Sequence, residues 1–271
     1  MGLMSAKRAF SFGGGRQSTA ALVLAVRGEL NVDCFVFANV GDDAENPDTL
    51  AYVNEWSKPY ALAHGIELVE VQRKFKDGRN PSLFNYLHNV RRSVPIPMRL
   101  MPDGAPGTRT CTTDWKIRVI ADYLKRRGWR ECELLLGISW DEAHRMRDPE
   151  AIVERGLTYA RRYPLCEMRL TVADCQRIVA EAGLPPPPKS SCWFCPFTPI
   201  SGWAKLRLNR PDLFEQAVEL ERGLNAVRIH IGKDSMYLTD RCKPLDLAVP
   251  EGAEQLDLFE EGACTSGYCW T

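Results

Sequence analysis

The stretch Ser11-Phe12-Gly13-Gly14-Gly15-Arg16-Gln17-Ser18-Thr19-Ala20 constrains the fold more than any other part of the chain. A short β-prone run, Arg8 to Phe12, leads in, and an apolar run spaced for a helix, Ala20 to Val26, leads out. Three glycines let the backbone turn through positive φ and aim successive N–H groups into one concavity, where the following helix adds its positive end. Such a loop binds an anion, most often phosphate. No Gly-Lys-Ser/Thr closes it as in a P-loop, and the Gly-x-Gly-x-x-Gly spacing of a dinucleotide fingerprint is absent. The plainer reading is a glycine-rich turn that lets a strand and a helix pack.

Asn31 to Ala38 reads as a buried strand, Thr49 to His64 as a helix preceded by Asn46-Pro47-Asp48, and Ile66 to Gln72 as another strand. The order β-α-β-α-β predicts an α/β fold, a parallel sheet with helices on both faces and ligands at the carboxyl ends of its strands. The glycine loop lies at one such end. The loop Val40-Gly41-Asp42-Asp43-Ala44-Glu45 lies at another, and its carboxylates suit a magnesium ion or a ribose hydroxyl, or else serve as ordinary helix caps. Asn80 to Gly107, rich in Pro, Arg and Met, looks like an irregular lid with one helical piece near Leu83 to Asn89. Cys111 then opens an amphipathic helix reaching about Arg127, flanked by Arg109 and Lys116, a setting that stabilises a thiolate. Glu133 to Ile138 forms the next strand and runs into Gly137-Ile138-Ser139-Trp140-Asp141-Glu142-Ala143-His144-Arg145.

A helix from Val172 to Ala182 leads to Leu184 and four prolines, which predict a boundary between a domain of residues 1–184 and a small, Cys-rich, mainly helical part, 185–271. Helices are expected at Gly202 to Leu208 and Asp212 to Arg222. In the second part, Cys192-Trp193-Phe194-Cys195-Pro196 carries the strongest metal signal, since two cysteines three apart bind one metal or one face of a cluster. A redox pair is the competing reading. Trp193 and Phe194 suit stacking on a base, or simple packing. The chain holds ten cysteines and ends with Cys264 and Cys269. With no signal-peptide core near Met1 and no apolar run of membrane-spanning length, a cytoplasmic chain without membrane contact is expected, where so many cysteines point to metal or redox chemistry. Lys plus Arg equals Asp plus Glu, 35 each, so no overall field draws in nucleic acid. Clusters such as Arg91-Arg92, Lys125-Arg126-Arg127 and Arg161-Arg162 permit a local basic face or plain solvated surface.

Taken together, these segments resemble the PAPS reductase-like branch of the adenine nucleotide alpha hydrolase superfamily, the PP-loop ATP pyrophosphatases. Gly13 to Ser18 is similar to that superfamily's Ser-Gly-Gly-Lys-Asp-Ser, and Gly41, Glu45 and Thr49 to its Thr-Gly-x-Glu-x-x-x-Thr. Arg109-Thr110-Cys111 with Lys116 resembles its cysteine-and-lysine segment, and Gly137-Ile138 with Glu142 and Arg145 its Gly-Ile-Arg-x-x-Glu-Ser-x-x-Arg. Gln17 departs from the loop's carboxylate, and Thr110 from the first of a cysteine pair.

The loops and the resemblance together assign nucleotide contacts to Ser11, Gly13, Gly14, Gly15, Arg16, Gln17, Ser18, Asp42, Glu45 and Gly137. Catalytic roles fall to Arg16, Cys111, Lys116 and Arg145. The resemblance implies a [4Fe-4S] cluster on Cys111, Cys192 and Cys195, with Cys264 or Cys269 as fourth ligand or one iron left open; zinc on the same cysteines is the alternative. ATP, or adenylyl sulfate, is the implied substrate, with Mg as an optional ion. The first functional expectation is an ATP-dependent, pyrophosphate-releasing sulfurtransferase similar to DNA phosphorothioation and tRNA thiolation proteins. Its partners would be an adenine nucleotide, a nucleic-acid acceptor, and a sulfur-donor protein or thiol reductant. A sulfonucleotide reductase releasing sulfite, with Cys264 or Cys269 as the attacking thiol, is the second. The third is a non-catalytic, zinc-stapled nucleotide-binding module.

Overall fold

The computed structural model describes residues 7–75, 77–90, 92–147 and 150–251. The chain begins with β1 (Arg8–Phe12), α1 (Arg16–Val26), β2 (Cys34–Asn39), α2 (Pro47–Tyr52), a π-helical turn (Val53–Ser57), α3 (Lys58–Ala63) and β3 (Leu68–Gln72). Next come α4 (Leu83–His88), β4 (Arg99–Leu100), β5 (Ala105–Pro106), α5 (Thr110–Thr112), a second π-helical turn (Thr113–Ile117), α6 (Arg118–Arg126) and β6 (Glu131–Leu136). After a 3-10 turn (Trp140–Arg145) follow β7 (Ile152–Glu154), β8 (Leu157–Arg162), α7 (Pro164–Glu167) and α8 (Val172–Glu181). The last elements are α9 (Ile200–Asn209), α10 (Pro211–His230), β9 (Met236–Tyr237) and α11 (Leu245–Ala248). Among the described residues no helix is long and apolar enough to cross a membrane.

The described chain divides into two units, 7–80 with 112–191, and 81–111 with 192–251. This grouping differs from a split at 184/185. The proline segment stays with the first unit because the Tyr52 hydroxyl donates to the Pro185 carbonyl at 2.8 Å and the Asn46 N–H to the Ser191 carbonyl at 3.1 Å. The irregular segment 81–111 belongs with the second unit, where β4 pairs antiparallel with both β5 and β9.

In the first unit the sheet runs β3-β2-β1-β6-β8-β7, parallel except for β7 at the edge. Alternate side chains of a strand face opposite sides, and here both sides are buried. Phe10, Phe12, Phe35 and Phe37 pack on α1 and on Cys175, Ile178 and Val179 of α8. Ala9, Val36, Leu134 and Leu136 pack on Ile120 and Leu124 of α6. The expected parallel α/β sheet, covered on both faces, is therefore the observed one.

Two departures have local causes. The expected helix Thr49 to His64 is interrupted by the π-helical turn, in which the Lys58 N–H reaches the Val53 carbonyl. Pro59, at the start of α3, has no N–H for the carbonyl of Glu55, so the hydrogen-bond ladder shifts by one residue there. The hairpin β7–β8 is not apparent in the sequence because only Leu157 and Tyr159 mark its buried face. Arg162 there is a partly exposed ion-pair residue, bonded to Glu133 and Glu167 at 2.8 Å each.

The second unit is built on α10, which buries Leu213, Phe214, Ala217, Leu220 and Leu224. The same helix buries Glu221, whose carboxylate accepts from Leu238 N–H at 2.7 Å and Leu245 N–H at 2.8 Å. Asn225 exchanges two hydrogen bonds with the Met236 backbone and so fixes β9. Trp193 and Phe194 are buried against Phe84, with ring centroids 5.0 and 5.5 Å away. They are core residues, and the expectation that they stack a base gives way to packing.

Candidate functional site

The chain order of the sheet reverses between β1 and β6: β2 and β3 lie on one side, β8 and β7 on the other. A crevice opens outside the carboxyl ends of the strands at such a switch point. The loop after β1, Gly13–Gly15, and the loop after β6, Gly137–Ser139, are the two that border it.

Each glycine of the first loop has its own physical reason. Gly14 sits at φ +74°, and a Cβ there would lie 2.8 Å from side-chain carbons of Thr49 and Val53. Gly15, the N-cap of α1, has an extended backbone (φ −103°, ψ −172°) that any residue adopts. Glycine is needed there for space, because a Cβ would come 2.8 Å from Ser190 Oγ and 3.3 Å from Ser190 Cβ. A Cβ on Gly13 would lie 3.4 Å from the same hydroxyl. The first turn of α1 leaves the N–H groups of Arg16, Gln17 and Ser18 without intrahelical acceptors.

Beneath the loop, Ser18 is buried and its hydroxyl is engaged with Gly15, accepting from the N–H and donating to the carbonyl at 3.0 Å each. Thr19 donates to the same carbonyl. Ser18 thus shapes the turn. Gly137 rests on α1, where a Cβ would meet Gln17 Cβ and Ser18 N at 3.5 Å. From the 3-10 turn that follows, Glu142 accepts from Gln17 Nε2 at 3.0 Å and pairs with Arg145 Nη1 at 2.9 Å, both charged side chains being mostly buried. Cys166 holds the second loop by donating to the carbonyls of Ile138 and Ser139 at 3.2 and 3.3 Å. Burial, then the neighbouring carboxylates, push its thiol up to about 11, so it stays a donor.

Four buried hydroxyls of this unit, on Ser11, Thr49, Ser57 and Ser139, have no hydrogen-bond partner among the described residues. Leaving a buried donor unmade costs about 1–3 kcal/mol. Thr49 is the most informative, since its side chain abuts Gly14. Arg16 is exposed at the start of α1. In the neighbouring loop Asp42 is exposed and accepts from Asn39 Nδ2 at 2.7 Å. Glu45 is buried, accepts from Val40 N–H at 3.4 Å, and lies 3.9 Å from Lys116 Nζ.

The first unit therefore brings Gly13, Gly14, Gly15, Gln17, Ser18, Gly137 and Arg145 together, and separately joins Glu45 to Lys116. Sequence reasoning left Ser190 out of the site, because no local pattern reports that residue 190 returns to residue 15. Glu142 entered through the resemblance without an assigned role.

Cys111, Cys192 and Cys195 all belong to the second unit and are partly exposed. Cys192 and Cys195 share one turn, closed by the Cys195 N–H on the Cys192 carbonyl at 3.2 Å. Arg109 stacks over Phe197, its carbon 5.3 Å from the ring centre. Among the described residues no group of three or more His, Cys, Asp or Glu side chains could hold a metal ion. Cys264 and Cys269, the expected fourth ligands of a cluster, lie outside the described residues. Cys34, Cys132 and Cys175 are buried, and burial pushes each thiol up to about 12.

No protein-family model matches the chain, and no curated protein matches it in sequence. Among solved structures, it is similar to "U34-tRNA thiolase NcsA from Methanococcus maripaludis with its [4Fe-4S] cluster". The match covers 82% of this chain and 72% of that one, at 14% identity and a TM-score of 0.39. A likeness of that degree assigns neither family nor activity.

Proposed function

We propose that this chain is an ATP-dependent, pyrophosphate-releasing sulfurtransferase acting on a nucleic acid or nucleotide. The observation that carries the reading is the glycine loop at the switch point, packed at Gly14 against Thr49, whose buried hydroxyl has no partner among the described residues. In this reading the N–H groups of Gly13, Gly14 and the first turn of α1 hold the phosphates, the Gly15 N–H being taken by Ser18, and exposed Arg16 balances their charge. The Gln17–Glu142–Arg145 chain keeps the two loops in register before substrate arrives. Donors fixed in advance stabilise the charge that develops on the bridging oxygen as pyrophosphate leaves, and an acceptor oxygen becomes adenylylated.

The sulfur step is supported by the chemistry of the thiols and by the resemblance of the Cys111 and Cys192-x-x-Cys195 segments. A persulfide on one thiol, loaded by a persulfide donor, attacks the carbon bearing the adenylylated oxygen; a carbon–sulfur bond forms and AMP leaves. A second thiolate attacks the resulting mixed disulfide, releases the thiolated product and leaves an intrachain disulfide for an external thiol to reduce. Cys192 and Cys195, in one turn, suit that exchange.

The test is incubation of the full chain with Mg-ATP, a radiolabelled persulfide donor and nucleic acid. AMP, pyrophosphate and labelled acceptor are expected together. ADP as product, or sulfite released from adenylyl sulfate with ATP untouched, would replace this reading.

A further inference from the structure

Resting on the nucleotide reading, we infer that Ser190 is a phosphate-binding residue, carried to the glycine loop by the proline-stiffened segment 185–191. The segment is anchored at both ends: Pro185 accepts from the Tyr52 hydroxyl at 2.8 Å, and Ser191 from the Asn46 N–H at 3.1 Å. Between these points prolines 185–188 keep the chain extended, so Ser190 is delivered at a set distance from the sheet.

Its target is specific. Ser190 Oγ lies 2.8 Å, and its backbone N 3.4 Å, from the point where a Cβ on Gly15 would sit. The backbone of Gly15 is extended and imposes no demand for glycine. The missing side chain serves this close approach, which puts a hydroxyl donor beside the first N–H groups of α1. Thr49, whose methyl group packs against Gly14, is fully buried, and its hydroxyl has no partner among the described residues. The Ser190 hydroxyl and the helix start, beside a loop without side chains, form a seat for an oxyanion. If the nucleotide reading holds, the phosphate at the start of α1 is the leaving pyrophosphate, and Ser190 binds that group rather than the adenylate. It therefore distinguishes nucleotides that carry a pyrophosphate from those that do not.

The experiment titrates inorganic pyrophosphate, Mg-ATP and AMP separately into the full chain by calorimetry, for wild type, Ser190→Ala and Ser190→Thr. Thermal unfolding of each variant is the control. Ser190→Ala is expected to weaken pyrophosphate and ATP by about tenfold, the worth of one hydrogen bond to a charged group, with AMP unchanged. Ser190→Thr, which keeps the hydroxyl, should stay within about threefold of wild type. Unchanged pyrophosphate affinity in Ser190→Ala, or an equal loss for AMP, overturns the inference while the nucleotide reading stands. A wild-type chain that binds none of the three overturns both.

Discussion

Gln17 Nε2 donates to Glu142 Oε2 at 3.0 Å, and the other oxygen of that carboxylate meets Arg145 at 2.9 Å. An amide at position 17 bridges the two loops and leaves the Glu142 charge to Arg145, whereas a carboxylate there would oppose it. Gln17→Glu is expected to lower stability by about 1–3 kcal/mol in urea unfolding, because it replaces a donor with a like charge in a mostly buried setting.

Gly14 and Gly28 share nearly the same backbone, φ +74° and +73°, but only Gly14 has neighbours within 4 Å. Gly28→Ala is expected to cost about 1–2 kcal/mol from the backbone alone. Gly14→Ala adds overlap with Thr49 and Val53 and should cost at least about 1 kcal/mol more. Urea unfolding of both variants isolates the packing term, and equal losses would mean that the loop does not rest on α2.

Burial pushes the Glu221 carboxyl from its ordinary 4.5 up to about 7, against the pull of its two backbone N–H partners. Between those values the folded chain holds a proton that the unfolded chain has lost, so this group's contribution to stability falls as pH rises from about 4.5 to 7 and is level above that. Glu221→Gln should remove that part of the slope. It should also lower stability overall, since its amide nitrogen would face one of the two N–H donors. Denaturant unfolding at several pH values reads both effects.

The cysteines should separate by reactivity. Cys111, Cys192, Cys195 and Cys242 are partly exposed, while Cys34, Cys132, Cys166 and Cys175 are buried with thiols pushed up. Brief iodoacetamide treatment of the native chain at pH 8, read by peptide mass spectrometry, is expected to label the first group and spare the second until the chain is unfolded.

Much of this was legible because it is local. The β-α-β-α-β order follows from apolar runs and the punctuation between them, and the glycine loop from its own residues. What escaped depends on distant returns of the chain. Ser190 reaches Gly15 only because Tyr52 and Asn46 hold the proline segment, and Arg162 pairs with Glu133 only because β8 lies beside β6. Glu45 looked like a ligand-facing carboxylate, yet it turns inward to Val40 and Lys116, a direction its loop alone does not reveal. Trp193 and Phe194 were ambiguous for the same reason, since the partner that decides for packing is Phe84.

The central claim is that the switch-point loops hold a nucleotide triphosphate. Amide hydrogen exchange with and without Mg-ATP tests it most directly. Slower exchange is expected in peptides covering residues 13–18 and 137–145, and the effect should fade in Gly14→Ala. Unchanged exchange at saturating ATP, or protection confined to other peptides, would contradict it.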